Sequence, residues 1–123
     1  LFDEWLAYVR TPQGRTPQAQ RLAGKILSQL APLRAMSIAI TEKLTRGESP
    51  VVEAALVKDL GTGVEQLIPT AIADDLFARD PADVPAELLR TLNYVTQVAP
   101  SYSLRGGTRD ILRGMIARGL GLR

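Results

Sequence analysis

Three observations predict an all-α fold of the up-and-down four-helix bundle type. Apolar residues recur at offsets of three and four along most of the chain, and short links containing Pro, Gly or Ser interrupt them. Apolar residues make up 46% of the sequence while aromatics reach only 5%. A Leu-, Ile-, Ala- and Val-rich chain suits packed helices better than a β-sandwich, which draws on β-branched and aromatic residues. The links are too short for long crossovers, so consecutive helices pack side by side. The 123 residues show no internal repeat or low-complexity tract and read as a single domain, 1–123.

Residues 1–9 read as the end of a helix, with Phe2, Leu6 and Val9 on one side. The following Arg10–Pro17 stretch carries two prolines and Gly14 and reads as a loop. Thr16 caps the next helix, with Pro17 at its first position. From Pro17 to about Arg46, an apolar face is formed by Leu22, Ile26, Leu30, Leu33, Met36, Ile40 and Leu44. Pro32 is expected to kink or split this helix, because proline removes a backbone donor. Gly47 ends it, and Ser49-Pro50 repeats the cap-then-proline pattern.

A third helix is expected over Pro50–Ala78. Its buried side is assigned to Val52, Ala55, Leu56, Leu60, Val64, Leu67, Ile68, Ala71, Ile72 and Leu76. Gly61 and Gly63 each weaken this helix by about 1 kcal/mol relative to Ala, which close packing of a neighbour would explain. Pro69 marks a second kink. Residues 79–85 form a loop, and a shorter helix over 86–98 turns Leu88, Leu89, Leu92 and Val95 inward. Ala99-Pro100-Ser101 breaks it. Gly106, Gly107 and Thr108 then lead into a last helix with Ile111, Leu112, Met115 and Ile116 on one face.

Cysteine and histidine are both absent, which removes disulfides, thiol chemistry, the usual zinc sites and Ser-His or Cys-His catalysis from this chain. No apolar run reaches the roughly 18 residues of a membrane span. A net charge of +2 is too small to argue for nucleic acid. The default setting is reducing and cytoplasmic. Because the chain starts at Leu1, an N-terminal part is expected to precede it.

Most charged groups read as solvated surface. The neighbours Asp74 and Asp75 point about 100° apart on a helix and are assigned to an exposed face, as are Lys58 and Asp59. Arg105, Arg109 and Arg113 differ, since 109 and 113 share a helix face and 105 precedes the glycine turn. With uncrowded amides and a helix N-terminus behind them, they form either an anion-attracting corner or ion pairs with acids elsewhere. Gly-Gly-Thr by itself reads first as a turn plus an N-cap.

Gly106-Gly107-Thr108-Arg109-Asp110-Ile111, followed by Ile116-Ala117 and Gly119-Leu120-Gly121-Leu122, resembles the last helix of the acyl-CoA dehydrogenases. Arg21-Leu22-Ala23 and Ala54-Ala55-Leu56-Val57-Lys58 extend the likeness more weakly. The resemblance implies the C-terminal helical domain, roughly the last third of a family member, with the bundle forming much of an oligomer interface. It implies FAD as cofactor and oxidation of an acyl-CoA substrate to the 2,3-enoyl-CoA, a Glu removing the α-proton.

Carried over residue by residue, Gly107, Thr108 and Asp110 match the turn and helix start that touch FAD, although Gln or Glu is more usual than Asp there. Arg10 and Gly14 match an Arg-x-x-x-Gly loop that reaches FAD in a neighbouring subunit, with Gln13 in place of the usual Phe. The family's Gln-x-x-Gly-Gly loop is replaced here by residues 76–81, which weakens the case for cross-subunit FAD binding. No catalytic or metal-ligating residue is assigned. In many members the base immediately precedes the Gly-Thr pair, and that position is Gly106. The resemblance implies a homo- or hetero-oligomer through the bundle. Either the base sits on an earlier helix, or the chain is a non-catalytic partner in a hetero-oligomer, as in actinobacterial dehydrogenases acting on steroid or other bulky CoA thioesters.

Overall fold

The computed structural model describes residues 1–122; Arg123, the last residue of the predicted domain, lies outside them. The described residues form five α-helices: α1 (Phe2–Val9), α2 (Pro17–Thr45), α3 (Val51–Phe77), α4 (Ala86–Val98) and α5 (Arg109–Gly119). Short 3-10 segments occupy Pro81–Asp83 and Ala99–Leu104, and no strand occurs among the described residues. The all-α expectation holds, and no helix is long and apolar enough to cross a membrane among the described residues.

Local chemistry places most boundaries as the sequence predicts. Thr16 accepts a hydrogen bond from the Ala19 amide at 3.0 Å, so the cap before Pro17 is real. Gly47 adopts φ +77° beyond the end of α2. One expectation is narrowed and one fails. Of the two outcomes open at Pro32, splitting does not occur, since α2 runs unbroken from Pro17 to Thr45. A single lost donor on an exposed turn leaves the flanking turns intact. Ser49 does not cap α3, because the tight link presents its carbonyl instead, and the Val51 amide donates to it at 2.9 Å.

α3 is the element against which α1, α2, α4 and α5 all pack. Residue pairing sets the directions. Lys43 bridges to Glu53 while Leu30 and Ile68 share one groove, so α2 and α3 are antiparallel. Gln66 donates to the Ala99 carbonyl at 3.3 Å while Phe77 and Leu89 line a common notch, so α4 is also antiparallel to α3. α5 follows suit, with Arg109 opposite Asp59 and Gly119 against Val52. Thus α4 and α5 cover successive lengths of α3, α4 towards its C-terminal end and α5 towards its N-terminal end. The eight-residue α1 runs parallel to α3, with Trp5 opposite Asp75 and Tyr8 opposite Arg79.

The hydrophobic core lies where α1, α2, α3 and α4 meet. It comprises Trp5, Tyr8, Val9, Ala19, Ile26, Ile72, Leu76, Val84, Leu88 and Leu92. Two polar features organise it. Trp5, completely buried, donates its indole N–H to Asp75 at 2.9 Å. Asp75 also accepts from Arg79 at 2.8 Å, and Arg79 in turn donates to the Gly14 carbonyl at 3.0 Å and lies over the Tyr8 ring. The assignment of Asp75 to a solvated face is therefore wrong. The 100° between neighbours sends Asp74 to water and Asp75 inward. Removing one partner of such a buried pair costs roughly 3–5 kcal/mol.

The far half of α3 is less covered. Leu56, Leu60 and Leu67, expected inside, are 40%, 44% and 39% exposed, and Leu44 on α2 is exposed as well. Nor does close packing within the chain explain Gly61 or Gly63. A Cβ on Gly61 would meet nothing within 4 Å, and one on Gly63 only the Arg109 guanidinium at 3.7 Å. The glycines that packing requires are Gly14, where a Cβ would lie 2.1 Å from the Tyr8 carbonyl oxygen, and Gly119, where it would lie 2.2 Å from Val52.

Opposite outcomes are expected at two of these glycines. Gly14→Ala should lower stability by roughly 3 kcal/mol or more through overpacking against backbone. Gly61→Ala should raise it by about 0.5–1 kcal/mol through helix propensity. Urea denaturation of the two variants beside the parent chain measures both.

Candidate functional site

The glycine turn is assembled from two directions. After α4 the chain tightens into the 3-10 segment Ala99–Leu104 and becomes extended at Arg105. Gly106 and Gly107 then take φ +68° and +103°, left-handed values that side chains disfavour. Thr108 caps α5, its hydroxyl accepting from the Ile111 amide at 3.5 Å. Leu112 is the buried peg of α5, and a Cβ on Gly107 would touch it at 3.5 Å. The predicted turn-plus-cap is therefore present as read.

Beneath the turn lies α3. Lys58 passes under Gly106, its Cε 3.7 Å from where a Cβ would stand. Its ammonium donates to Thr62 Oγ1 at 3.0 Å and to the Tyr102 carbonyl at 3.4 Å. Asp59, the next residue, is 8% exposed and accepts from Arg109 Nε at 2.7 Å and from Arg113 Nε at 3.3 Å. Arg105 stacks over the Tyr102 ring at 4.5 Å and reaches Glu65 at 3.3 Å. Of the two readings open for the arginines, pairing is what forms: all three meet carboxylates on α3.

Pairing does not cancel the charge. Lys58, Arg105, Arg109 and Arg113 gather beside Asp59, Glu65 and the first-turn Asp110, four cations against three anions, so the corner keeps an excess of one positive charge. The Arg109 hydrogen bond, seconded by Arg113, holds the Asp59 carboxyl below the usual Asp range against the opposing effect of burial. Asp59 in turn raises the Arg109 guanidinium. A carboxylate held this way is a poor proton acceptor near neutral pH.

The predicted cofactor residues fall into two groups. Gly107, Thr108 and Asp110 lie together at the start of α5, the first two half-buried and Asp110 exposed. Arg10 and Gly14 lie in the α1–α2 link, where Arg79, paired with Asp75, reaches the Gly14 carbonyl. From Asp59 to Asp75 α3 rises about 24 Å, so one chain does not bring the two groups together. Arg10 is exposed. Gly14 is buried, its amide donating to Thr11 Oγ1 at 3.1 Å and its carbonyl taken by Arg79. Residues 76–81, where the resembled family has its glycine loop, are occupied by the α3 end and the returning Arg79 side chain.

The assignment of Lys58 and Asp59 to an exposed face is wrong for Asp59, which is buried under α5, and Lys58 is half-buried beneath the turn; Thr62 was passed over. A signal was there: Val52, Ala55, Asp59 and Thr62 follow offsets of three, four and three, which places the aspartate in the stripe that α5 covers. Among the described residues no cluster of carboxylates could hold a metal ion.

The linkage sign for Asp59 follows from its depressed pKa. Its stabilising contribution is present above the unfolded Asp value of about 3.9 and is lost as pH falls through the lower folded value. Melting temperatures of the parent and Asp59→Asn should therefore differ by a constant amount from pH 7 down to about pH 4, and converge below it. A difference that persists unchanged into strong acid would contradict the ion-pair account.

A scan against protein-family models and searches of the curated proteins and of solved structures find no match to this chain. What it does is argued from its residues.

Proposed function

We propose that the chain is the helical module of an acyl-CoA dehydrogenase-like flavoprotein. In this reading it supplies FAD contacts and an oligomer surface for oxidation of an acyl-CoA to the 2,3-enoyl-CoA. The observation that carries the reading is the Gly106-Gly107-Thr108 turn over a corner where four cations meet three carboxylates. Uncrowded amides, a helix N-terminus and a surplus of positive charge suit a pyrophosphate. FAD would supply the hydride acceptor. Thr108 and Gly107 would hold its phosphates, and Arg10, about 24 Å away along α3, would serve a second subunit's turn. Gly14, being buried, would shape the loop that carries Arg10.

The bundle assignment belongs to the same reading. α2, α3 and the α4–α5 flank give three columns, and α1 fills only one end of a fourth. The remaining length is an apolar groove of about 470 Å³ between α2 and α3, lined by Leu30, Leu33, Ile40, Val57 and Ile68. An N-terminal part of the same protein and further copies are the proposed occupants of this groove and of the Leu56-Leu60-Leu67 stripe.

One observation favours the alternative of a non-catalytic partner subunit. Asp59 and Glu65, the α3 carboxylates beside the turn, are both held by arginine, and Gly106 stands where members of the resembled family commonly carry the base. Either way, proton abstraction lies outside the turn.

Two measurements test this. The purified chain should show no stoichiometric flavin absorbance and no acyl-CoA-dependent bleaching of added FAD; bleaching by the chain alone would place the chemistry here after all. Light scattering should give a mass above the monomer, reduced to the monomer by the double change Leu56→Glu and Leu60→Glu. A monomeric parent chain would remove the interface from the proposal.

A further inference from the structure

We infer that α5 is a hinged arm, undocking from α3 as a unit while the core around Trp5 stays intact. Four observations carry this. The hydrophobic core draws its buried residues from α1, α2, α3, α4 and the link between α3 and α4, and none from α5. α5 buries a single side chain, Leu112, while Ile111 on its outer side is 58% exposed. Its packing partner is α3. Immediately before its cap, two consecutive residues take left-handed backbone angles, and both are glycine, so a rotation there meets no Cβ.

What holds the arm down lies along one face of α3. Arg109 and Arg113 grip Asp59, Leu112 is pegged beneath Gly107, and Gly119 approaches Val52 closely enough to exclude a side chain. Asp59 is met only from the arm, since Lys58 turns to Thr62 and Tyr102, and Arg105 to Glu65. Freeing α5 therefore leaves the other described ion pairs in place. It uncovers the Val52, Ala55 and Asp59 side of α3 and displaces the capped turn. Segments with few buried apolar contacts and their own boundaries open below the global unfolding energy. The arm thus gives the fold a closed state, in which the turn is shaped, and an open one, in which α3 offers a fresh apolar and acidic face.

Amide hydrogen exchange on the whole chain tests this, read by NMR and corrected for intrinsic rates. The amides of Leu112–Ile116 should exchange at least about tenfold faster than those of Ile72, Leu88 and Leu92. Asp59→Asn should speed the arm roughly another tenfold and leave Leu88 and Leu92 within about twofold. A second variant does not depend on weakening the fold. With Val52→Cys and Gly119→Cys, the two Cβ atoms would lie 3.2 Å apart, just short of the disulfide range, in a chain that has no other thiol. Oxidation should slow arm exchange to the rate of the core, and reduction should restore it. Arm and core exchanging at one rate in the parent chain, or an arm rate indifferent to the cross-link, would overturn the inference.

Discussion

α3 sets the terms for the rest of the fold. It is 27 residues long and apolar on every side: Val52 and Ala55 on one, Val57 and Ile68 on another, Leu56, Leu60 and Leu67 on a third. A helix without a polar stripe must be surrounded. Here α2 lies along it, α4 and α5 divide a second flank between them, and α1 closes one end. A fully buried core forms only where four helices converge, around Trp5, Ile26 and Ile72. Where three converge, leucines remain in water. The uneven quality of packing along one helix explains both the compact end and the apolar groove.

Two aspartates on α3 show how burial and partner choice divide the labour of holding the chain together. Asp75 and Asp59 are similarly buried, at 4% and 8% exposed. Asp75 is met by an arginine almost as buried as itself and by an indole N–H, in a network continued to the Gly14 carbonyl. Every member has its partner, so sliding α3 by a turn would bury an unpaired charge, and the register is fixed. Asp59 is met by two arginines whose side chains are 36% and 59% exposed. Water screens that attachment, and its worth is correspondingly smaller. One aspartate anchors the core while the other fastens α5.

Much of this was legible in the sequence, and the failures share a cause. Helix spans, the Thr16 and Thr108 caps and the glycine turn follow from local rules about amides, hydroxyls and backbone angles, and local rules are what sequence displays. The side on which a residue lies relative to other helices is not local. Asp75 and Asp59 read as surface because charge is usually solvated. Arg79 lies only four residues from Asp75, but the partners that show burial, Trp5 for Asp75 and Arg109 and Arg113 for Asp59, sit 70, 50 and 54 residues away in the chain. Leu56, Leu60 and Leu67 read as core because leucine usually is, yet none of the described helices covers them fully. The candidate site was half legible: the turn and its arginines were visible, whereas the α3 residues beneath it were not.

That last misreading bears on the proposed role. Glycine in mid-helix lowers stability by about 0.5–1 kcal/mol relative to alanine, and some close approach normally explains it. Gly14 and Gly119 have their explanation within the chain, in the Tyr8 carbonyl and in Val52. Gly61 has none, although it lies mid-α3 and lines the groove against Leu30, Leu33 and Ser37. Gly24 and Gly114 are also open, but they lie away from that groove. A glycine that makes room for nothing, on the wall of an apolar groove, beside leucines that cover nothing, is what an interface looks like from one side. The same α3 that demands covering thus argues, through the groove-lining Gly61 that no packing within the chain explains, for an occupant of the groove supplied from outside these helices, as the proposed assembly role requires.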